Sequence, residues 1–162
     1  MSSFKENKRS AIEKAKETGD EGVRKGEQRF QELQKVKELI DGISLEDEED
    51  AALAEGLNES YLEAGKAAFQ EEVQTPIETS KQALAENKNE ITGEKRNAET
   101  ASERLTDMQS TTDLARSSAR NVENTIKKSV EEYGDMERQT EEIEDQLTSS
   151  SQDILSRIEG LF

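Results

Sequence analysis

The chain has 162 residues and lacks His, Cys and Trp, so it has neither the commonest general base, nor a thiol nucleophile, nor the best transition-metal ligands. With 30% apolar and 4% aromatic residues, it has little from which to build the apolar pocket that a catalytic carboxylate pair or Lys would need. The net charge of −16 opposes binding to nucleic acid or to an anionic membrane. We therefore expect no catalytic residues, no cofactor, no metal site and no nucleic-acid partner.

Charged residues make up 37% of the chain, which is compatible either with intrinsic disorder or with long helices that share a thin apolar seam. The negative charge is concentrated in residues 44–74, which hold one Lys or Arg against ten Asp or Glu. No apolar run approaches the roughly 20 residues of a membrane span, and no signal-peptide core stands near the N-terminus. The periodicity of the apolar residues has to decide between disorder and helix.

The first predicted element is a helix over about residues 4–41, because apolar residues and glycines recur there at the three-and-four spacing of one helix face. The stripe consists of Ile12, Ala15, Gly19, Gly22, Gly26, Leu33, Val36 and Ile40. Each glycine costs a helix ~1 kcal/mol relative to Ala. The three glycines therefore indicate either the close approach of a second helix or a weak, frayed stretch around residues 19–26, and the sequence leaves both open.

A turn is predicted over residues 41–44, because Gly42 stands where a helix C-cap favours a left-handed residue. Ser44 with Asp47 resembles a capping box for a second helix over about residues 45–74. The acidic run 46–50 lacks the spacing of a calcium loop and suits the start of a helix. Such a short connection predicts an antiparallel helical hairpin. The expected buried face of the second helix consists of Leu53, Leu57, Ala64, Ala67 and Ala68, with Tyr61 as a candidate member and Phe69 and Val73 to one side.

The single Pro of the chain marks the next boundary. Thr75, Pro76 and Glu78 suit the N-cap, first and third positions of a new helix. This chemistry favours a break at residues 75–76, and a kink in one continuous helix is the alternative.

The segment from residue 77 onwards carries the most regular pattern, since every seventh residue from Ile77 to Leu161 is uncharged. A seam of this length favours coiled-coil-like packing over disorder. It predicts a long helix over about residues 77–160, with candidate interruptions near 87–93 and 148–151. The residues expected to form the pairing seam are Leu84, Ile91, Leu105, Met108, Val122, Ile126, Met136, Ile143, Leu147 and Ile154.

These elements predict an all-α fold in a single elongated helical domain spanning residues 1–162. Its architecture would be a helical hairpin or bundle with a long coiled-coil-like C-terminal helix. Such a chain would work by helix–helix pairing. Its partner would be another helical protein or, in a homo-oligomer, a second copy of itself.

A helix, a tight Gly-containing turn and an acidic second helix resemble the WXG and LXG class of helical proteins, which Gram-positive bacteria export through type VII secretion systems. In that class a hydrophobic residue, any residue and a Gly occupy the turn of the hairpin, and Ile40 and Gly42 match this turn motif. The chain has no Trp, which places it nearer to LXG-type and accessory proteins than to the small WXG members.

The export signal of that class is a Tyr followed four residues later by Asp or Glu, and Tyr133 with Glu137 matches it. Tyr133 also lies on the heptad seam, so core packing is its alternative role. The resemblance implies a type VII secretion substrate or the partner of an effector, present in the cytoplasm before export and secreted without a cleavable signal peptide. A structural coiled-coil adaptor or assembly protein needs only the heptads and stays the alternative.

Overall fold

The structure, a computed structural model, describes residues 3–107 and 113–162, with side chains over residues 3–107 and 116–162. All regular elements in these ranges are helical, which confirms the all-α fold class and the long C-terminal helix. The elements are α1 (Phe4–Asp41), α2 (Glu48–Phe69), a π-helical turn (Gln70–Gln74), α3 (Thr75–Asp107) and α4 (Asp113–Leu161).

Two compact units make up the chain. The glycine unit consists of Lys14–Gln82 and Glu144–Phe162, and the hairpin unit consists of Met1–Glu13 and Ala83–Ile143. Helices α1, α3 and α4 each contribute residues to both units. That the chain forms one elongated domain stays a prediction.

The glycine unit takes its name from glycines at which its helices approach closely. A methyl group on Gly26 would lie 2.8 Å from Val73 Cγ2 and 2.9 Å from Ile154 Cδ1. A methyl group on Gly65 would lie 2.9 Å from Leu33 Cδ1. Carbon atoms in favourable contact are ~3.5–4.0 Å apart, so only Gly fits at these distances without movement of its neighbours. The glycines of α1 therefore mark close helix approach rather than a frayed stretch, and α1 is continuous through them.

Helix α2 runs antiparallel to α1 in the glycine unit. Gly65 lies against Leu33, whereas the earlier Asn58 accepts a hydrogen bond of 3.0 Å from the Nζ of the later Lys37. This is the hairpin arrangement that the short connection predicts.

The buried face of α2 differs from the predicted one. Ala54, Gly65 and Phe69 are buried, whereas the predicted members Leu53 and Ala64 are exposed. The prediction was wrong because Gly65 carries no side chain and gives no apolar signal, although the closest helix contact of this segment is at that residue. The expected face was therefore placed about one residue away from the true one, and Leu53 was assigned to the core.

The start of α2 also differs, because it begins at Glu48 rather than near residue 45. Asp47 is its N-cap, and the Asp47 carboxylate accepts a hydrogen bond of 3.0 Å from the backbone N–H of Glu49. Ser44 accepts only a long 3.5 Å bond from Glu46 N–H. The predicted Ser44 cap was wrong, since a carboxylate is favoured by the positive N-terminal end of a helix and satisfies the free N–H groups there.

Gly42 does not adopt the left-handed conformation that the C-cap prediction required. No described glycine has a positive φ. The N–H of Gly42 donates to the carbonyls of Glu38 and Leu39, at 3.2 and 3.3 Å, and so continues the helical turn. The connection to α2 extends to residue 47, and this greater length removes the need for a left-handed reversal.

The break favoured at residues 75–76 is absent and the alternative of one continuous helix holds, because the backbone stays helical from α2 through the π-helical turn into α3. Pro76 has no N–H and cannot donate the usual helical hydrogen bond. The wider turn accommodates this loss, and both the N–H and the hydroxyl of Thr75 donate to the carbonyl of Gln70, the latter at 3.0 Å. The candidate interruptions at 87–93 and 148–151 are absent too, since α3 and α4 run continuously through them.

The hairpin unit contains the largest departure from prediction. The expected single helix over residues 77–160 is two helices, since α3 ends at Asp107 and α4 begins at Asp113. They run antiparallel, as side-chain pairs across them show. The Nζ of Lys95 lies 2.9 Å from Glu137, and farther along α3 the hydroxyl of Thr106 donates to the earlier Glu123 at 3.0 Å.

The heptad pattern did not reveal this fold-back for a geometrical reason. The register of these pairs brings Ile91 level with Thr140 and Leu105 level with Ile126. All four belong to the same seven-residue series. Two antiparallel arms can therefore share a seam in one unbroken heptad phase, and the phase alone does not distinguish them from one long helix.

Candidate functional site

The structure places most of the predicted pairing seam inside the chain itself. The buried members are Leu84, Ile91, Met136 and Ile143 in the hairpin unit and Leu147 and Ile154 in the glycine unit. Leu105 and Ile126 are partly exposed, and Val122 is 50% exposed. Met108 lies outside the described residues. These side chains pack within their own units, and pairing with a partner through them stays a prediction.

Tyr133, the first residue of the predicted export signal, is buried in the hairpin unit with 8% of its surface exposed. Its ring packs edge-on against Phe4, with 6.0 Å between the centroids, and the Lys5 ammonium lies 5.3 Å from the ring centre. Burial raises the pKa of the Tyr133 hydroxyl, and the charges of Glu94 and Glu132 add to this effect. The ring therefore has a packing role in this structure.

Glu137, the second residue of that signal, is held by two partners on α3. Lys95 Nζ lies 2.9 Å from its carboxylate, and the Thr92 hydroxyl donates to it at 2.8 Å. Burial opposes ionisation of this carboxyl, but the hydrogen bonds from Lys95 and Thr92 outweigh it and hold the pKa of Glu137 below its ordinary value. Glu137 is thus charged at neutral pH and fixes the register of α3 against α4.

The predicted turn motif consists of one buried and one exposed residue. Ile40 packs in the core of the glycine unit, whereas Gly42 is exposed at the end of α1. A methyl group on Gly42 would meet only carbonyl oxygens, the nearest being that of Leu39 at 3.4 Å, which is an ordinary contact. The turn itself does not require a glycine.

A surface groove of about 440 Å³ lies along α2 in the glycine unit. It is lined by Leu45, Ala51, Ala54, Glu55, Asn58, Glu59, Leu62 and Phe162. Leu45 is 67% exposed, and the neighbouring turn of α2 exposes Leu53 to 55%. This groove and the exposed leucines are referred to below as the α2 groove. It combines apolar walls with a strongly acidic surrounding sequence.

Phe162 forms one wall of the α2 groove and is held by two contacts. Its ring stacks on Tyr61, with centroids 6.5 Å apart and planes at 16°. The Nζ of Lys37 lies 5.9 Å from the Phe162 ring centre and 3.2 Å from the Asp41 carboxylate. The Lys37 ammonium beside this wall is thus already paired with an anion, and the carboxylates of Glu55 and Glu59 are exposed.

Sequence reasoning missed the α2 groove because it assigned Leu53 to the core. The available signal was the coincidence of leucines with the acidic segment 44–74. A helix whose polar residues are nearly all of one sign, and whose leucines exceed what its buried stripe needs, favours a binding face.

Within residues 3–107 and 113–162, no group of His, Cys, Asp or Glu is arranged to hold a metal ion. In the same residues, none of the helices combines the length and the apolarity that crossing a membrane requires.

Comparison with known proteins adds no relative, since no protein-family model, no curated protein and no solved structure matches this chain.

Proposed function

We propose that this chain is a non-catalytic protein that acts by pairing with another helical protein, and that it serves type VII secretion as a substrate or as the partner of an effector. The observation that carries the pairing is the exposure of Leu45 and Leu53 beside the α2 groove. Apolar side chains that remain in water next to a concave surface favour a protein contact there.

The non-catalytic part of the proposal rests on the available chemistry. With no His and no Cys in the sequence, a catalytic mechanism would have to depend on carboxylates, Lys or Tyr. The best-placed carboxylate, Glu137, is neutralised by Lys95 and lies between two helices. The carboxylates that line the α2 groove, those of Glu55 and Glu59, are exposed rather than enclosed in an apolar pocket.

The secretion part of the proposal rests on the sequence resemblance, through Ile40 with Gly42 and Tyr133 with Glu137. Because Phe4 covers the Tyr133 ring, a receptor would reach that residue only after the first turn of α1 moved away. Glu137 would likewise have to leave Lys95. In this account a receptor binds the export signal only after the hairpin unit has opened.

The direct test is secretion of the tagged chain from a Gram-positive bacterium that has a type VII system, compared with the same strain lacking the secretion ATPase. We expect the chain in the culture medium only when the ATPase is present, with a cytoplasmic enzyme as the control for lysis. Equal amounts in both media, or retention in both strains, would contradict the secretion proposal.

The residue-level test uses Glu137→Gln with the exposed Glu99→Gln of α3 as its matched control. We expect Glu137→Gln to lose export at an unchanged cellular level, and Glu99→Gln to be exported normally. Normal export of Glu137→Gln would remove the Tyr133 and Glu137 pair from the proposal.

A structural adaptor is the second candidate, favoured by the antiparallel pairing of α3 and α4 with flanking ion pairs such as Lys88 with Glu141 at 2.5 Å. Such flanking pairs are typical of coiled-coil assemblies. Light scattering on the purified chain separates the two candidates. A defined homo-oligomer that is not secreted supports the adaptor, whereas a monomer that is secreted supports the first proposal.

A further inference from the structure

We infer that the α2 groove binds a basic amphipathic helix of the partner protein. This inference deepens the proposed function, on which it rests, by giving the chemistry of the partner. It follows from the shape of the groove, from the exposure of Leu45 in its lining and from the sign of the surrounding charge.

The shape of the groove suits a helix face. Ala51 and Ala54 are the small residues among its lining, and Leu45, Leu62 and Phe162 are the large apolar ones. Small side chains next to large ones let a partner helix approach while its own apolar side chains fill the groove. A volume of about 440 Å³ accommodates a few such side chains, in the manner of helix-in-groove recognition.

Leu45, one of the apolar walls of the groove, is largely left uncovered by the chain itself. Leu45 belongs to the segment between α1 and α2, and more than half of its surface is in water. Phe162 is fixed by Tyr61 and Lys37 on one side, so its position does not depend on a ligand. The groove is therefore present before binding, which reduces the ordering that a partner has to impose.

The negative charge around the groove indicates which kind of partner binds there. Glu55 and Glu59 line it, and the acidic run 46–50 precedes them on the same helix and its N-cap segment. A second copy of this chain that paired through the same face would bring residues 44–74, with one cation and ten anions, against the same acidic surface. An anionic membrane would be repelled for the same reason. Complementarity requires Lys or Arg on the flanks of the apolar face of the partner helix.

The experiment is a fluorescence anisotropy titration of the full chain with a labelled synthetic peptide of about 18 residues, or five helical turns. The peptide consists of Leu at the positions i, i+3, i+4 and i+7 of each repeat and Lys elsewhere. A control peptide has the same composition with the leucines scattered over all faces. We expect binding of the amphipathic peptide and at least about tenfold weaker binding of the control.

Two variants locate the binding, each with a matched control. Leu45→Asn is compared with Leu39→Asn, which changes an exposed leucine of α1 that does not line the groove. The double variant Glu55→Gln/Glu59→Gln is compared with Glu99→Gln/Glu103→Gln, an exposed pair of the same spacing on α3. All variants are checked for unchanged helicity by circular dichroism, and all changed residues are exposed and outside the predicted core.

We expect Leu45→Asn to weaken peptide binding about tenfold and the Glu55/Glu59 variant to weaken it about fivefold at low salt, while both controls bind as the parent does. The inference is overturned if the peptide does not bind, if the scattered peptide binds equally well, or if the α2 groove variants bind as tightly as their controls. Such a result with ATPase-dependent secretion intact would leave the secretion proposal standing and remove the α2 groove as the pairing surface. Loss of secretion with normal peptide binding would overturn the secretion proposal and leave the groove assignment.

Discussion

The glycine unit and the hairpin unit are built from segments of the same helices, yet they hold those segments together differently. In the glycine unit, missing side chains bring backbones close, and Val73 and Ile154 are completely buried against Gly26. In the part of the hairpin unit where α3 ends and α4 begins, Leu105 and Ile126 keep part of their surface in water. Close packing at glycines is found in the first unit, whereas this end of the hairpin unit has a thin seam flanked by polar pairs.

This difference teaches that the size of the seam residues, and not only their period, decides how well a helical unit is packed. A glycine that weakens an isolated helix allows contacts in a bundle that no larger residue permits. Polar pairs along a thin seam set the register but contribute little stability where they are exposed. The predictions below follow from this contrast.

The largest expected effect is that of Ile154→Ala in the glycine unit. Ile154 is fully buried, so its truncation leaves a cavity and is expected to lower the free energy of unfolding by about 2–5 kcal/mol. Leu105→Ala in the hairpin unit is the comparison, and it is expected to cost less than about 2 kcal/mol because Leu105 is already partly solvated. Urea unfolding followed by circular dichroism measures both. Equal losses would contradict the contrast between the units.

The second prediction is that replacing glycine by alanine destabilises the chain at one position and stabilises it at another. Gly26→Ala places a methyl group against Val73 and Ile154, and the overpacking of ~1–3 kcal/mol exceeds the ~1 kcal/mol gain in helix propensity. The expected net loss is ~1 kcal/mol. Gly56→Ala on α2 meets nothing within 4 Å and is expected to stabilise the chain by ~0.5–1 kcal/mol. Thermal unfolding of the two variants checks the sign, and stabilisation by both would contradict close approach at Gly26.

The glycine positions also bear on which features of the fold the sequence could predict and which it could not. It predicted the all-α fold, the bounds of α1 and the unusual role of its glycines, although it left close approach and fraying as alternatives. It could not assign the face of α2, because the contact at Gly65 has no side chain to signal it. It could not show that α3 and α4 are separate, because both arms use one heptad phase. The α2 groove was missed for the first of these reasons, since Leu53 was counted as core.

The third effect is a pH dependence that arises from Glu137. Its pKa is lowered in the folded chain, so it contributes stability above the unfolded pKa of about 4.3 and loses that contribution as the pH falls through the folded value. Glu137→Gln is therefore expected to cost about 0.5–1.5 kcal/mol at pH 7 and progressively less below about pH 4. The exposed Glu99→Gln is the control. A difference between Glu137→Gln and the parent that stays constant down to pH 2.5 would contradict this role of Glu137, with pH 2.5 lying about two units below the unfolded pKa.

The smallest effect is expected for Gly42→Ala, at the turn motif. Gly42 has no left-handed conformation, and a methyl group there makes only ordinary contacts. The free energy of unfolding is expected to stay within about 0.5 kcal/mol of the parent value. A loss above about 1 kcal/mol in chemical denaturation would show that the turn does require glycine.

Native-state hydrogen exchange followed by mass spectrometry tests the central claim, that close packing at the glycines gives the glycine unit the more stable core. The account predicts the slowest exchange in the segments 19–33 and 65–80, and faster exchange in 98–107 and 116–126, because partly solvated helices open more often. Equal protection in the two sets of segments, or slower exchange in the hairpin unit, would contradict it.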